Sequence, residues 1–166
     1  MMATLGKLGL GTAAMLVTVV AFAAPASAGP SATASGSLVE TGGGSTVTKA
    51  AGGNLFLSGF DTAVYTGGLS GTVRDVWTAV LHADGSFETK GMETCSVCTI
   101  GSRTGSFTAR WVFKGAYLPD GTGPFAGTLA FKSGTGGLAG IHGSGKFAGD
   151  AVAGTETYSF NYLFAP

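Results

Sequence analysis

In the last ten residues before the C-terminal tail, aromatic side chains fall on every second position. Tyr158, Phe160, Tyr162 and Phe164 share one side of Thr155 to Phe164, and Thr157, Ser159 and Asn161 take the other. A period of two is the period of a β-strand, with one face against a core and one toward water. The same alternation recurs upstream. Val76, Thr78, Val80 and His82 oppose Asp75, Trp77, Ala79 and Leu81, and Phe107, Ala109, Trp111 and Phe113 oppose Ser106, Thr108 and Arg110. Phe125, Leu129 and Phe131 share a face within Phe125 to Lys132, and short runs at Thr46 to Lys49 and Asn54 to Phe60 open the series.

No mature segment sustains a 3.6-residue period, so long helices are not expected. Turn residues separate the runs. Asp84-Gly85 is read as a two-residue hairpin turn whose partner strand is Ser86 to Thr99. Pro119-Asp120-Gly121 marks a loop, and a tight glycine-rich hairpin is expected over Gly134 to Gly149. Seven to nine such strands joined by hairpins suggest a barrel or a sandwich. A barrel leaves no free sheet edge, which matters for a chain with only 11% charged residues. Its 30 glycines in 166 residues suit the bends of a small barrel. The fold expected is a single antiparallel β-barrel of about eight strands.

The N-terminus points to export. Lys7 is the only charged residue before Glu40, an apolar run follows from Leu8 to Ala24, and Ala26-Ser27-Ala28 offers small residues where signal peptidase reads them. Residues 1–28 are expected as a cleavable signal peptide, 29–36 as a flexible lead and 37–166 as the barrel domain. The mature chain is then secreted or held in the cell envelope, with no membrane association after cleavage. It has no basic stripe for nucleic acid and no polybasic segment for anionic lipid.

The stretch Gly134-Thr135-Gly136-Gly137-Leu138-Ala139-Gly140-Ile141-His142-Gly143-Ser144-Gly145-Lys146-Phe147 resembles the hallmark of a bacterial family known as domain of unknown function 3224. Gly101 to Phe107, the turn Asp84-Gly85-Ser86 and the aromatic strand Tyr158 to Phe164 match further features of that family. The resemblance runs from about Thr62 to Phe164. It implies the eight-stranded antiparallel barrel of allene oxide cyclases, shared with plant dirigent proteins, whose glycine-rich hairpin is similar. The signal peptide and the C-x-x-C are departures from the family pattern. A shared fold does not carry a function with it.

Cys95-Ser96-Val97-Cys98 holds the only two cysteines. In an exported chain the first expectation is a structural disulfide at a strand end or bulge. A redox-active pair, free thiols, or a zinc site completed by His82 and His142 are the alternatives. No metal or other cofactor is expected. No nucleophile elbow and no H-E-x-x-H occurs, and Gly42-Gly43-Gly44 lacks the residues of a phosphate loop. The central charges Arg74, Asp75, Glu88, Glu93 and Arg103 are expected on the solvated outer face, because charges are rarely buried unpaired. Trp77, Phe107, Trp111 and Phe113 are the candidate lining of a ligand cavity, with plain core as the other reading. The expected role is binding of a small apolar ligand within the barrel. The alternatives are a cyclase- or dirigent-type enzyme acting on a hydrophobic intermediate, and a non-catalytic structural protein of the envelope.

Overall fold

The computed structural model describes residues 31–165. The signal peptide expected over 1–28 lies outside the described residues. Eight strands follow in order: β1 (Ala32–Ala51), β2 (Asn54–Gly67), β3 (Leu69–Leu81), β4 (Ser86–Ile100), β5 (Arg103–Ala116), β6 (Pro124–Gly136), β7 (Ile141–Asp150) and β8 (Thr155–Phe164). Each pairs antiparallel with the next, and β8 returns to β1 through Ala32↔Tyr162 to Val39↔Thr155, closing the sheet into a barrel. The stretch expected as a flexible lead is therefore strand from Ala32 onward. Its glycine and serine residues give no alternation to read, but backbone pairing with β8 does not need one.

The turn after β3 is also longer than the two-residue hairpin expected. His82 N–H donates to Ser86 O, leaving residues 83–85 in the loop. Gly85 takes the left-handed conformation there (φ 85°), and the Asp84 carboxylate accepts from both the N–H and the hydroxyl of Ser86.

Consecutive hairpins place the β2–β3, β4–β5 and β6–β7 turns at one end of the barrel and the other turns at the opposite end. The first end is plugged. Leu69, Ile100, Leu138 and Ile141 are all fully buried there, close to Phe107 and Phe160. Leu138 lies outside any strand, in the glycine-rich connection between β6 and β7. Its carbonyl approaches Gly134 so closely that a Cβ at Gly134 would collide with it, so that glycine lets the connection fold inward. Tyr158 fastens the same end, accepting from Leu69 N–H at 2.8 Å.

Cys95 and Cys98 form a disulfide on β4, both sulfurs buried. The register with β5 passes from Cys95↔Phe107 to Cys98↔Gly105, so one extra residue bulges from β4 inside the disulfide loop. The expected structural bridge at a bulge is what the chain contains.

Candidate functional site

The inward face carries acid. Asp61 on β2, Asp75 on β3 and Glu93 on β4 are direct cross-strand partners, Asp61↔Asp75↔Glu93, and all three line one internal cavity. Asp75 is 7% exposed and Glu93 2%. The outer-face expectation for these two charges is thus overturned, while Arg74, Glu88 and Arg103 are exposed as expected. The physical reason is parity. Asp75 alternates in step with Val73 and Trp77, and Glu93 with Phe87 and Cys95. To turn either carboxylate outward would expose the apolar residues on its own face.

Like charges directly opposite one another on a sheet are unfavourable, and each of these carboxylates has one aromatic donor. Trp77 Nε1–H donates to Asp61 Oδ2, Trp111 Nε1–H to Asp75 Oδ1 at 2.6 Å, and Tyr65 Oη–H to Glu93 Oε2 at 2.9 Å. Both indoles lie across a glycine on the neighbouring strand, Trp77 over Gly59 and Trp111 over Gly91, their register partners. A Cβ at Gly91 would collide with Cζ2 of the Trp111 ring, and one at Gly59 with the same atom of Trp77. The pairs Gly59–Trp77 and Gly91–Trp111 thus form one device used twice, letting a ring lie flat and reach a carboxylate.

Two further acids complete the wall, Glu156 on β8, half-buried, and Glu40 on β1, exposed at the rim. The opposite wall, from β5 to β7, is Trp111, Phe113, Phe125, Leu129 and Phe147. Phe113 stacks on Trp111 with ring centroids 5.3 Å apart and meets Phe125 at 4.6 Å. The cavity between the walls is about 50 Å³, room for roughly three to five waters. Among the described residues, no Lys, Arg or His lines it.

Burial without a counter-charge disfavours ionisation. Asp75 is pushed up to about 7, chiefly by burial, with Asp61 and Glu40 adding repulsion and the Trp111 hydrogen bond opposing. Glu156 is pushed up to about 8 by burial and then by Asp75 and Glu40. Glu93 is raised well above the carboxylate range by burial and by Asp75, and burial raises the Tyr65 hydroxyl as well. Asp61 is raised by burial, less so because Trp77 donates to it. Glu93 Oε1 is buried with no hydrogen-bond partner among the described residues.

Of the four candidate lining residues, Trp111 and Phe113 face this cavity. Phe107 lies deeper, in an edge-to-face pair with Phe131 at 5.3 Å, and Trp77 touches the site through Asp61. A zinc set of Cys95, Cys98, His82 and His142 is not assembled: the thiols are joined to each other, and His82 sits at the end of the barrel opposite them. The residues that sequence reasoning missed are the acids. Asp61, Asp75, Glu93 and Glu156 each fall on the same parity as a buried aromatic or aliphatic neighbour on their strand, and that was the available signal.

The model of a protein family of unknown function, DUF3224, matches residues 60–162, which include most of the acidic wall. The chain belongs to the DUF3224 family. The crystal structure of a DUF3224 protein of unknown function from Shewanella oneidensis MR-1 has a similar fold, with a TM-score of 0.61 over 82% of this chain and 99% of that one. At 19% identity the likeness between the two is one of fold. No curated protein matches the chain.

Proposed function

We propose that this DUF3224 domain is an exported binding protein that takes a small ligand into the acid-lined end of its barrel. The observation that carries the reading is Glu93 Oε1, a carboxyl oxygen with no hydrogen-bond partner among the described residues, on a buried side chain that lines the cavity. Burying a polar group unsatisfied is costly, and a ligand group in the cavity relieves that cost. The apolar ligand expected from the aromatic residues of the barrel becomes an amphiphilic one, with an apolar part against Phe113, Phe125 and Phe147 and a polar part toward the acids. Export rests on the sequence of residues 1–28.

Both tryptophans donate to carboxylates of the site, so ligand entry is readable in their emission. A panel of small molecules with a polar head and an apolar body, scored by tryptophan emission and by Tm, is expected to yield binders that raise Tm. Asp75→Asn removes that response. A panel in which nothing shifts either signal refutes the reading.

A second reading is a cyclase- or dirigent-type enzyme, in keeping with the resemblance to allene oxide cyclase barrels. The observation favouring it is Asp75, whose pKa of about 7 suits a group that both gives and takes protons. A bound ligand recovered chemically altered, with loss of conversion in Asp75→Asn, distinguishes catalysis from binding.

A further inference from the structure

We infer that the ligand class of this barrel is a small organic ammonium ion, its N–H groups held by the neighbouring Asp75 and Glu93 carboxylates and its carbon part toward the aromatic wall. The inference rests on the binding reading above and names the chemistry of the ligand.

Among the described residues, every ionisable group that faces the cavity is an acid. Glu40 comes from β1, Asp61 and Tyr65 from β2, Asp75 from β3, Glu93 from β4 and Glu156 from β8, while β5, β6 and β7 contribute only aromatic and aliphatic side chains. An anion entering here finds no positive partner among the described residues. A neutral apolar molecule fills the space and leaves Glu93 Oε1 unpartnered. A bare metal ion is no better served, since among the described residues no three Asp, Glu, His or Cys side chains are grouped so as to hold one. An ammonium group has several N–H donors to distribute among carboxylates held on separate strands, and it is small enough for a cavity of about 50 Å³.

Burial away from positive charge favours the protonated form of these carboxyls. When the ammonium ion enters, a carboxyl gives its proton to solvent and the resulting carboxylate pairs with the ligand. Binding at neutral pH therefore releases protons, which a purely apolar association does not do.

The test is calorimetric titration of the purified protein with ethylammonium chloride, ethanol, sodium acetate and calcium chloride, each in two buffers of different ionisation enthalpy. The expected result is saturable binding of ethylammonium with proton release, and much weaker heats from the other three. Glu93→Gln should weaken ethylammonium by roughly tenfold or more, as expected when a buried charge loses its partner. Asp75→Asn, at the cross-strand partner of Glu93, supplies the same comparison should Glu93→Gln fail to fold. Ethanol binding as tightly as ethylammonium, with no proton release, overturns the ammonium assignment and leaves the binding reading standing. Calcium binding in preference to ethylammonium also overturns it. No binding by any of the four overturns both.

Discussion

Trp111 on β5 reaches over Gly91 on β4 and donates its indole N–H to Asp75 on β3, spanning three strands inside the barrel. Packing and polarity meet in that one contact. The ring is part of the core, 7% exposed, and its only polar atom satisfies a carboxylate that has no positive partner. Truncation of Trp111 to Ala should cost about 3–5 kcal/mol, as for other buried aromatics. Trp111→Phe should cost less but also push the Asp75 titration upward, because the hydrogen bond that holds its pKa down is gone. Urea unfolding and a pH titration of each variant separate the two effects.

Gly91→Ala tests the same contact from below. The added Cβ has no room under the indole, so the ring must lift and the hydrogen bond to Asp75 must lengthen. Overpacking of this kind costs about 1–3 kcal/mol. The tryptophan emission of the variant should move to longer wavelength, and an unshifted spectrum with unchanged stability would count against the placement of the ring.

Stability should fall as pH rises through neutrality. Asp75 and Glu156 have folded-state values of about 7 and about 8, above their ordinary values of 3.8 and 4.5. The folded state therefore holds more protons than the unfolded state between those limits, and stability declines as they are lost. The contribution is full below about pH 4 and gone above about pH 8. Asp84, Asp120 and Asp150 act in the opposite sense below the ordinary range, since hydrogen bonds to their carboxylates lower them. Chemical denaturation across pH should thus peak on the acid side of neutral. In Glu93→Gln the alkaline decline should be shallower, because a carboxyl that burial holds well above its ordinary value no longer has to ionise.

The strands were legible because alternation survives in β3, β5 and β8, where large residues mark one face. The inward direction of Phe107, Ala109 and Trp111 follows from the same pattern. Two things were not legible. The start of β1 is written in small residues whose faces cannot be told apart, so only the pairing with β8 reveals a strand. The acids were misplaced because the general rule that charges stay in water was set above the local parity of Asp75 and Glu93. Such conflicts between local pattern and general rule are where functional sites tend to lie.

The disulfide should behave as structure. Native protein should show no free thiol to alkylating reagents, and replacing both Cys95 and Cys98 by Ala should cost roughly 2 kcal/mol in chain entropy for so short a loop. Two alkylated thiols in native exported protein would contradict this. The same material tests processing: its N-terminal residue is expected to be Gly29, and recovery of only the uncut chain in membranes would contradict export.

Proton release on binding depends on carboxyl groups that keep their protons near neutral pH because, among the described residues, no positive charge faces them. Carbon-detected NMR titration of the aspartate and glutamate carboxyls reads this directly. Asp75 is expected to titrate near 7 and Glu156 near 8, while Asp84, Asp120 and Asp150 titrate below their ordinary value. If Asp75 and Glu156 instead titrate together with the surface carboxylates, around their ordinary 3.8 and 4.5, burial of these carboxyls away from positive charge is contradicted.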